Sequence, residues 1–142
     1  LPRCYARTGS EAVPHPARLP GPTGEANTLH HRAKVPIFCA GQGEENIRPQ
    51  MAAVQALGGS ALRTQREVTS DMLGTGPDHG GVLWWGDADT ARAFERALAA
   101  RTGPIIPLIT DAPTRADVLT EWHLRVDTTA AGGNAALLGQ YG

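Results

Sequence analysis

Between residues 35 and 127, apolar runs of strand length alternate with amphipathic stretches of helix length, and this alternation constrains the fold more than any other feature. Val35–Ala40 reads as a short buried strand, with Pro36 near its start. After the turn Gly41-Gln42-Gly43, the residues Ile47, Met51, Val54 and Leu57 recur at helical spacing. Pro49 is placed in the first turn, where a missing N–H is harmless. Gly58 and Gly59 end that helix, and Ser60–Thr64 reads as a second strand. Gly81–Trp85 is the next strand. Asp87 then caps a helix over Ala88–Arg101 whose buried stripe includes Ala91, Phe94, Ala97 and Leu98. Gly103 and Pro104 stop it. Ile105–Ile109, a short helix near Thr114–Thr120 and a last strand over Trp122–Asp127 complete the run. Repeated strand–helix–strand units with short links predict an α/β, Rossmann-like fold: a mostly parallel sheet with helices on both faces. Such a sheet is expected to bury both Trp84 and Trp85, one on each face.

Two flanking regions differ in texture. Residues 1–34 carry Pro2, Pro14, Pro16, Pro20 and Pro22 among Gly9, Gly21 and Gly24, which predicts an extended, irregular linker or flap. Residues 128–142 are rich in small side chains and cannot build a core alone. Fully extended they would reach ~50 Å at ~3.3 Å per residue, enough to touch a neighbouring domain. The division expected is therefore 1–34, a domain over 35–127, and a tail over 128–142. The first residue, Leu1, is not Met, which suggests a fragment of something longer.

Composition excludes several classes. With 13 basic and 14 acidic residues, no strong field exists to attract nucleic acid or an anionic membrane. The longest apolar runs are too short for a transmembrane segment, and no leader opens the chain. Cys4 and Cys39 fall in unlike segments, which argues against a disulfide framework or a structural zinc site and favours a reducing cytoplasm. His30 and His31 are adjacent and point to opposite sides of an extended chain, and no metal-ligand spacing joins the five histidines. Ser10 and Ser60 lack a nucleophile turn, Ser70-Asp71 reads as turn chemistry, and Cys39 reads as inert packing. No catalytic residue emerges.

The sharpest motif is Gly41-Gln42-Gly43-Glu44-Glu45-Asn46, after a strand and before a helix, where a dinucleotide loop would stand. Gly41 and Gly43 fit. Asn46 replaces the third glycine, and Glu44 and Glu45 oppose a pyrophosphate while complementing the helix dipole. The turn Gly86-Asp87-Ala88-Asp89 likewise suits capping better than phosphate. The reading is a degenerate loop with no cofactor; the alternatives are an independent nucleotide-binding module and a small homo-oligomeric interaction domain.

Arg18-Leu19-Pro20-Gly21-Pro22-Thr23-Gly24-Glu25-Ala26-Asn27-Thr28 resembles the segment that follows the aldehyde dehydrogenase module in long forms of proline utilization A. Leu1–Gly9 resembles the sequence just before it, and Val126–Leu138 is similar to the family's terminal motif. The stretch between Thr64 and Gly81 looks shorter than the family's, which puts a helix there in doubt. The resemblance implies a parent that joins an FAD-dependent proline dehydrogenase to an NAD-dependent glutamate-semialdehyde dehydrogenase. This chain would be its non-catalytic C-terminal domain, covering the dehydrogenase module and its channelling passage, with self-association possible. It assigns docking to Pro20, Gly21, Pro22, Thr23, Gly24, Glu25 and Asn27, and to Thr128, Thr129, Ala130, Ala131, Gly132, Gly133, Asn134, Ala135, Ala136, Leu137 and Leu138. In that tail, Gly132 and Gly133 permit close backbone approach, and the alanines pack at little entropic cost.

Overall fold

A computed structural model describes residues 6–8 and 13–127. The described residues divide into two units, one holding 6–8, 13 and 32–120, the other holding 14–31 and 121–127. The first unit contains β1 (Ala6–Thr8), β4 (Ile37–Cys39), β5 (Ala61–Arg63), β6 (Gly81–Leu83) and β7 (Leu108–Ile109) in one sheet, ordered β1-β5-β4-β6-β7. β5, β4, β6 and β7 run parallel, with Phe38 beside Leu62 on one side and Val82 on the other; β1 joins the β5 edge antiparallel.

Helices α1 (Glu44–Ala56), α2 (Ser70–Thr75), α3 (Ala88–Ala99) and α4 (Arg115–Val118) cover this sheet. One face gathers Phe38, Val82 and Trp84 with Leu73 of α2 and Phe94 and Leu98 of α3. The opposite face gathers Ile37, Cys39 and Leu83 with Val54 of α1 and Val118 of α4. The period-two alternation of β4 thus feeds two cores, as a doubly covered parallel sheet requires. The Rossmann-like α/β architecture is that expected from the alternation.

Several details differ from the expectation. α1 starts at Glu44, so Pro49 lies in its second turn, where its missing N–H leaves the Glu45 carbonyl without the usual donor. The glycine-rich 65–81 stretch does hold a helix, α2, capped by the Thr69 hydroxyl, which accepts from Met72 N. Arg101, at the far end of α3, donates to Leu73 O at 2.6 Å, Gly76 O at 3.0 Å and Asp78 at 2.9 Å, and so ties down the end of α2. Trp84 is buried, but Trp85, two residues past the end of β6 at Leu83, is 41% exposed.

The larger correction concerns the last strand. β8 (Leu119–Asp127) does not extend the parallel sheet; with β2 (Ala17–Leu19) and β3 (Glu25–Ala33) it forms a separate three-stranded sheet, ordered β2-β3-β8. Much of the proline-rich N-terminal region is therefore extended and paired. β2 and β3 make an antiparallel hairpin, with Leu19 opposite Asn27, closed by a turn in which Glu25 N donates to Pro22 O and Gly24 adopts φ 90°. Contacts of His31 with Glu121 and of Glu25 with Arg125 run in opposite order, so β8 is antiparallel to β3.

Two outcomes test this packing. Leu98→Ala is expected to cost roughly 2–5 kcal/mol through lost burial and a cavity, and Arg92→Ala far less, by urea denaturation; an unchanged midpoint for Leu98→Ala would mean the α3 phase is wrong. His79 is buried against Phe38, ring centroids 4.9 Å apart, and burial, then the Arg101 charge, lowers its pKa despite Asp78. The fold therefore holds the neutral imidazole. Its contribution is complete above the unfolded-chain pKa of about 6.5 and is lost as pH falls below that toward the depressed folded value. The urea midpoint of the native chain should fall between pH 7.5 and 5.5 more steeply than that of His79→Phe; identical slopes would refute the assignment.

Candidate functional site

The order β5-β4-β6 places the reversal of the winding between β4 and β6, and two helices begin at the C-terminal ends of those strands. In open α/β sheets this is where ligands sit. The loop before α1 contains Gly43 at φ 77°, a conformation open to glycine, and no side chain caps the helix. Its two acids are positioned differently. Glu44 pairs with Arg63 and, at 3.3 Å, with Arg48; the Arg63 hydrogen bond is the main reason its carboxyl is held below the usual range. A methyl built on Gly43 would lie 2.6 Å from Glu45 Oε1, so the Glu45 carboxylate is folded back onto the loop. Asn46 donates to Gln42 O at 2.6 Å, and its own atoms crowd Gly41. The helix terminus that a pyrophosphate would approach thus carries two carboxylates, one paired with arginines and one folded back onto Gly43.

The matching turn before α3 is also committed. Asp87 accepts from Thr90 N at 2.8 Å, a bond that lowers its pKa, and Asp89 pairs with Arg92 at 2.7 Å. Cys39 is fully buried, and desolvation pushes its thiol up to about 12, which removes it as a nucleophile. Ser60 is buried, and Ser70 is the first residue of α2. His30 stacks on Trp122 at 4.1 Å while His31 Nε2 lies 3.2 Å from Glu121, so the adjacent imidazoles meet consecutive residues of β8.

The hairpin residues assigned to docking fall together in the second unit. Pro20, Gly21, Pro22 and Thr23 are exposed at the β2–β3 connection, Gly24 shapes its turn, and Glu25 accepts from Arg125 of β8. Asn27 is buried, and its side chain lies so close over Gly21 that a Cβ there would meet Nδ2 at 2.2 Å. Thr128–Leu138 lie outside the described residues.

The structure adds residues that the sequence reading missed. Trp122, Leu124 and Val126 recur every second position along β8 and are 47%, 42% and 46% exposed. Spacing by two puts them on one face of the strand. The signal was present: Glu121-Trp122-His123-Leu124-Arg125-Val126-Asp127 alternates strictly, the pattern of a strand with one apolar face rather than one buried on both.

No family model matches the chain. It is similar to the bifunctional protein PutA of Escherichia coli strain K12, 32% identical over 143 residues, a match covering 84% of this chain and 11% of that protein. The bifunctional protein PutA of Rhizobium meliloti is 30% identical over 161 residues, covering 91% of this chain and 13% of the relative. Among solved structures, a crystal structure of a Bradyrhizobium japonicum proline utilization A mutant superposes with a TM-score of 0.51 at 26% identity, over 66% of this chain and 13% of that one. The chain spans about a tenth of the length of the curated relatives it matches.

The loop geometry has a direct consequence for dinucleotide binding. Calorimetry of this chain with NAD should give no saturable signal below about 1 mM, which corresponds to roughly −4 kcal/mol. Tighter, saturable binding would overturn the degenerate-loop reading.

Proposed function

Since the chain belongs to the bifunctional PutA proteins, as a segment about a tenth of their length, we propose that it is a non-catalytic domain of a proline-catabolic enzyme of the cytoplasm. Its task is to cover and brace the aldehyde dehydrogenase module of the same polypeptide and to help enclose the passage for the intermediate. FAD and NAD serve the catalytic modules and not this domain. Among the described residues, no helix is long and apolar enough to cross a membrane.

The observation that carries the reading is the apolar face of β8. Trp122, Leu124 and Val126 form a row of large side chains left partly open to solvent, a feature that marks contact surfaces. The same strand leads directly into Thr128–Leu138, and its sheet partner β3 begins in the hairpin segment Pro20–Asn27. All the segments given a docking role thus connect to one small sheet. The occupied turns before α1 and α3 support the non-catalytic half of the reading, because their acids cap, pair or fold back.

In the full-length bifunctional protein, deleting Thr128–Gly142 should lower glutamate-semialdehyde dehydrogenase or coupled proline-to-glutamate turnover about tenfold or more, ~1.4 kcal/mol. Proline dehydrogenase activity should stay within a factor of about two. The double substitution Trp122→Ser with Leu124→Ser should act in the same direction. Equal loss of both activities with general unfolding would make the tail part of this domain's own core, and no loss of either would remove the docking role.

A further inference from the structure

We propose that the cleft between the turns preceding α1 and α3 binds an uncharged nitrogen heterocycle of nucleobase size, held by the Gln50 amide and the face of Trp85. The inference is independent of the docking role. The cleft measures about 230 Å³, and Gly41, Gln42, Asn46, Gln50, Trp85 and Asp87 are among the residues that line it. It lies at the reversal of the strand order, between the C-terminal ends of β4 and β6.

Three observations select the ligand. Gln50 is wholly buried, and its Oε1 accepts from Gly41 N at 3.0 Å. That bond fixes which way the amide points and leaves Nε2 as a buried donor with no partner among the described residues. A buried donor of this kind lacks compensation for its lost water and is satisfied by an acceptor such as a ring nitrogen or carbonyl. Next, both indole N–H groups are engaged: Trp84 Nε1 donates to Asp87 O at 3.0 Å and Trp85 Nε1 to Asp111 O at 2.9 Å. What the exposed Trp85 has left to offer is its ring face, which favours a flat partner. Finally, the charge excludes ions. No Lys or Arg lines the cleft while Asp87 does, so a phosphate seated there meets an acid with no cation in the lining. A full cation would oppose the inward-facing Gln50 donor. The volume takes one ring system and its substituent, not a dinucleotide.

Equilibrium dialysis of the folded chain with adenosine, and in parallel with AMP, tests this. Adenosine should saturate with a Kd of ~0.1–1 mM, and AMP should bind at least about tenfold more weakly. Gln50→Leu and Trp85→Ala should each weaken adenosine binding about tenfold, with the fold checked by circular dichroism. No saturation by adenosine up to about 10 mM overturns the proposal. AMP binding as tightly as adenosine, or wild-type affinity in both folded variants, also overturns it. Should Gln50→Leu fail to fold, Trp85→Ala decides alone, because that side chain is exposed.

Discussion

The enclosure of β4 is the constraint on which the rest of the first unit depends. Ile37, Phe38, Cys39 and Ala40 are all at most 2% exposed, so the strand has no access to water for its peptide groups or its side chains. Its backbone must be paired along both edges, as it is with Ile37 N donating to Ser60 O and Ala40 N to Leu83 O. Its side chains must find apolar cover above and below, which demands helices on both faces. Close approach is then needed at the periphery: a methyl on Gly59 would lie 2.6 Å from Val118, so the contact between the end of α1 and α4 exists because Gly59 has none.

The small sheet obeys a different rule. Its strand β8 is exposed from Thr120 to Asp127, and its polar residues are held by single cross-strand contacts, such as Arg125 to Glu25. Each of these pairs keeps one partner well exposed, which limits its contribution, and backbone pairing and the His30–Trp122 stack add to the order of the sheet. A sheet with one open apolar face has surface to bury against something else, whereas the parallel sheet has none to spare.

The sequence exposed the first unit well because its burial pattern is local. Short apolar runs located β4 and β6, the Gly58-Gly59 helix stop placed β5 after α1, and Asp87 with the Phe94 and Leu98 spacing located α3 within two residues at its end. The errors arose where context decides. Nothing local states that Trp85 lies beyond the end of its strand and partly exposed. Pro49 was compatible with a helix start nearer to it, but the φ of 77° at Gly43 moved the start back to Glu44. The place of β8 in the alternation of elements points to the parallel sheet, whereas its own period-two pattern points to a sheet with one apolar face, the one it joins. The degenerate loop was legible as chemistry, yet the folded-back Glu45 and the buried Gln50 donor are products of tertiary packing that no spacing encodes.

The Arg101 clasp bears on how freely this chain can vary in length. Two of its three acceptors are main-chain carbonyls, Leu73 O and Gly76 O, which exist whatever side chains those positions carry. An anchor that recognises backbone places almost no demand on sequence, only on where a helix ends. Residues can be inserted or lost ahead of α2 without disturbing the grip, provided the helix still presents its last turn to the guanidinium. A change of length ahead of α2 thus leaves this one anchor intact, and a single arginine just past the end of the next helix confers that freedom.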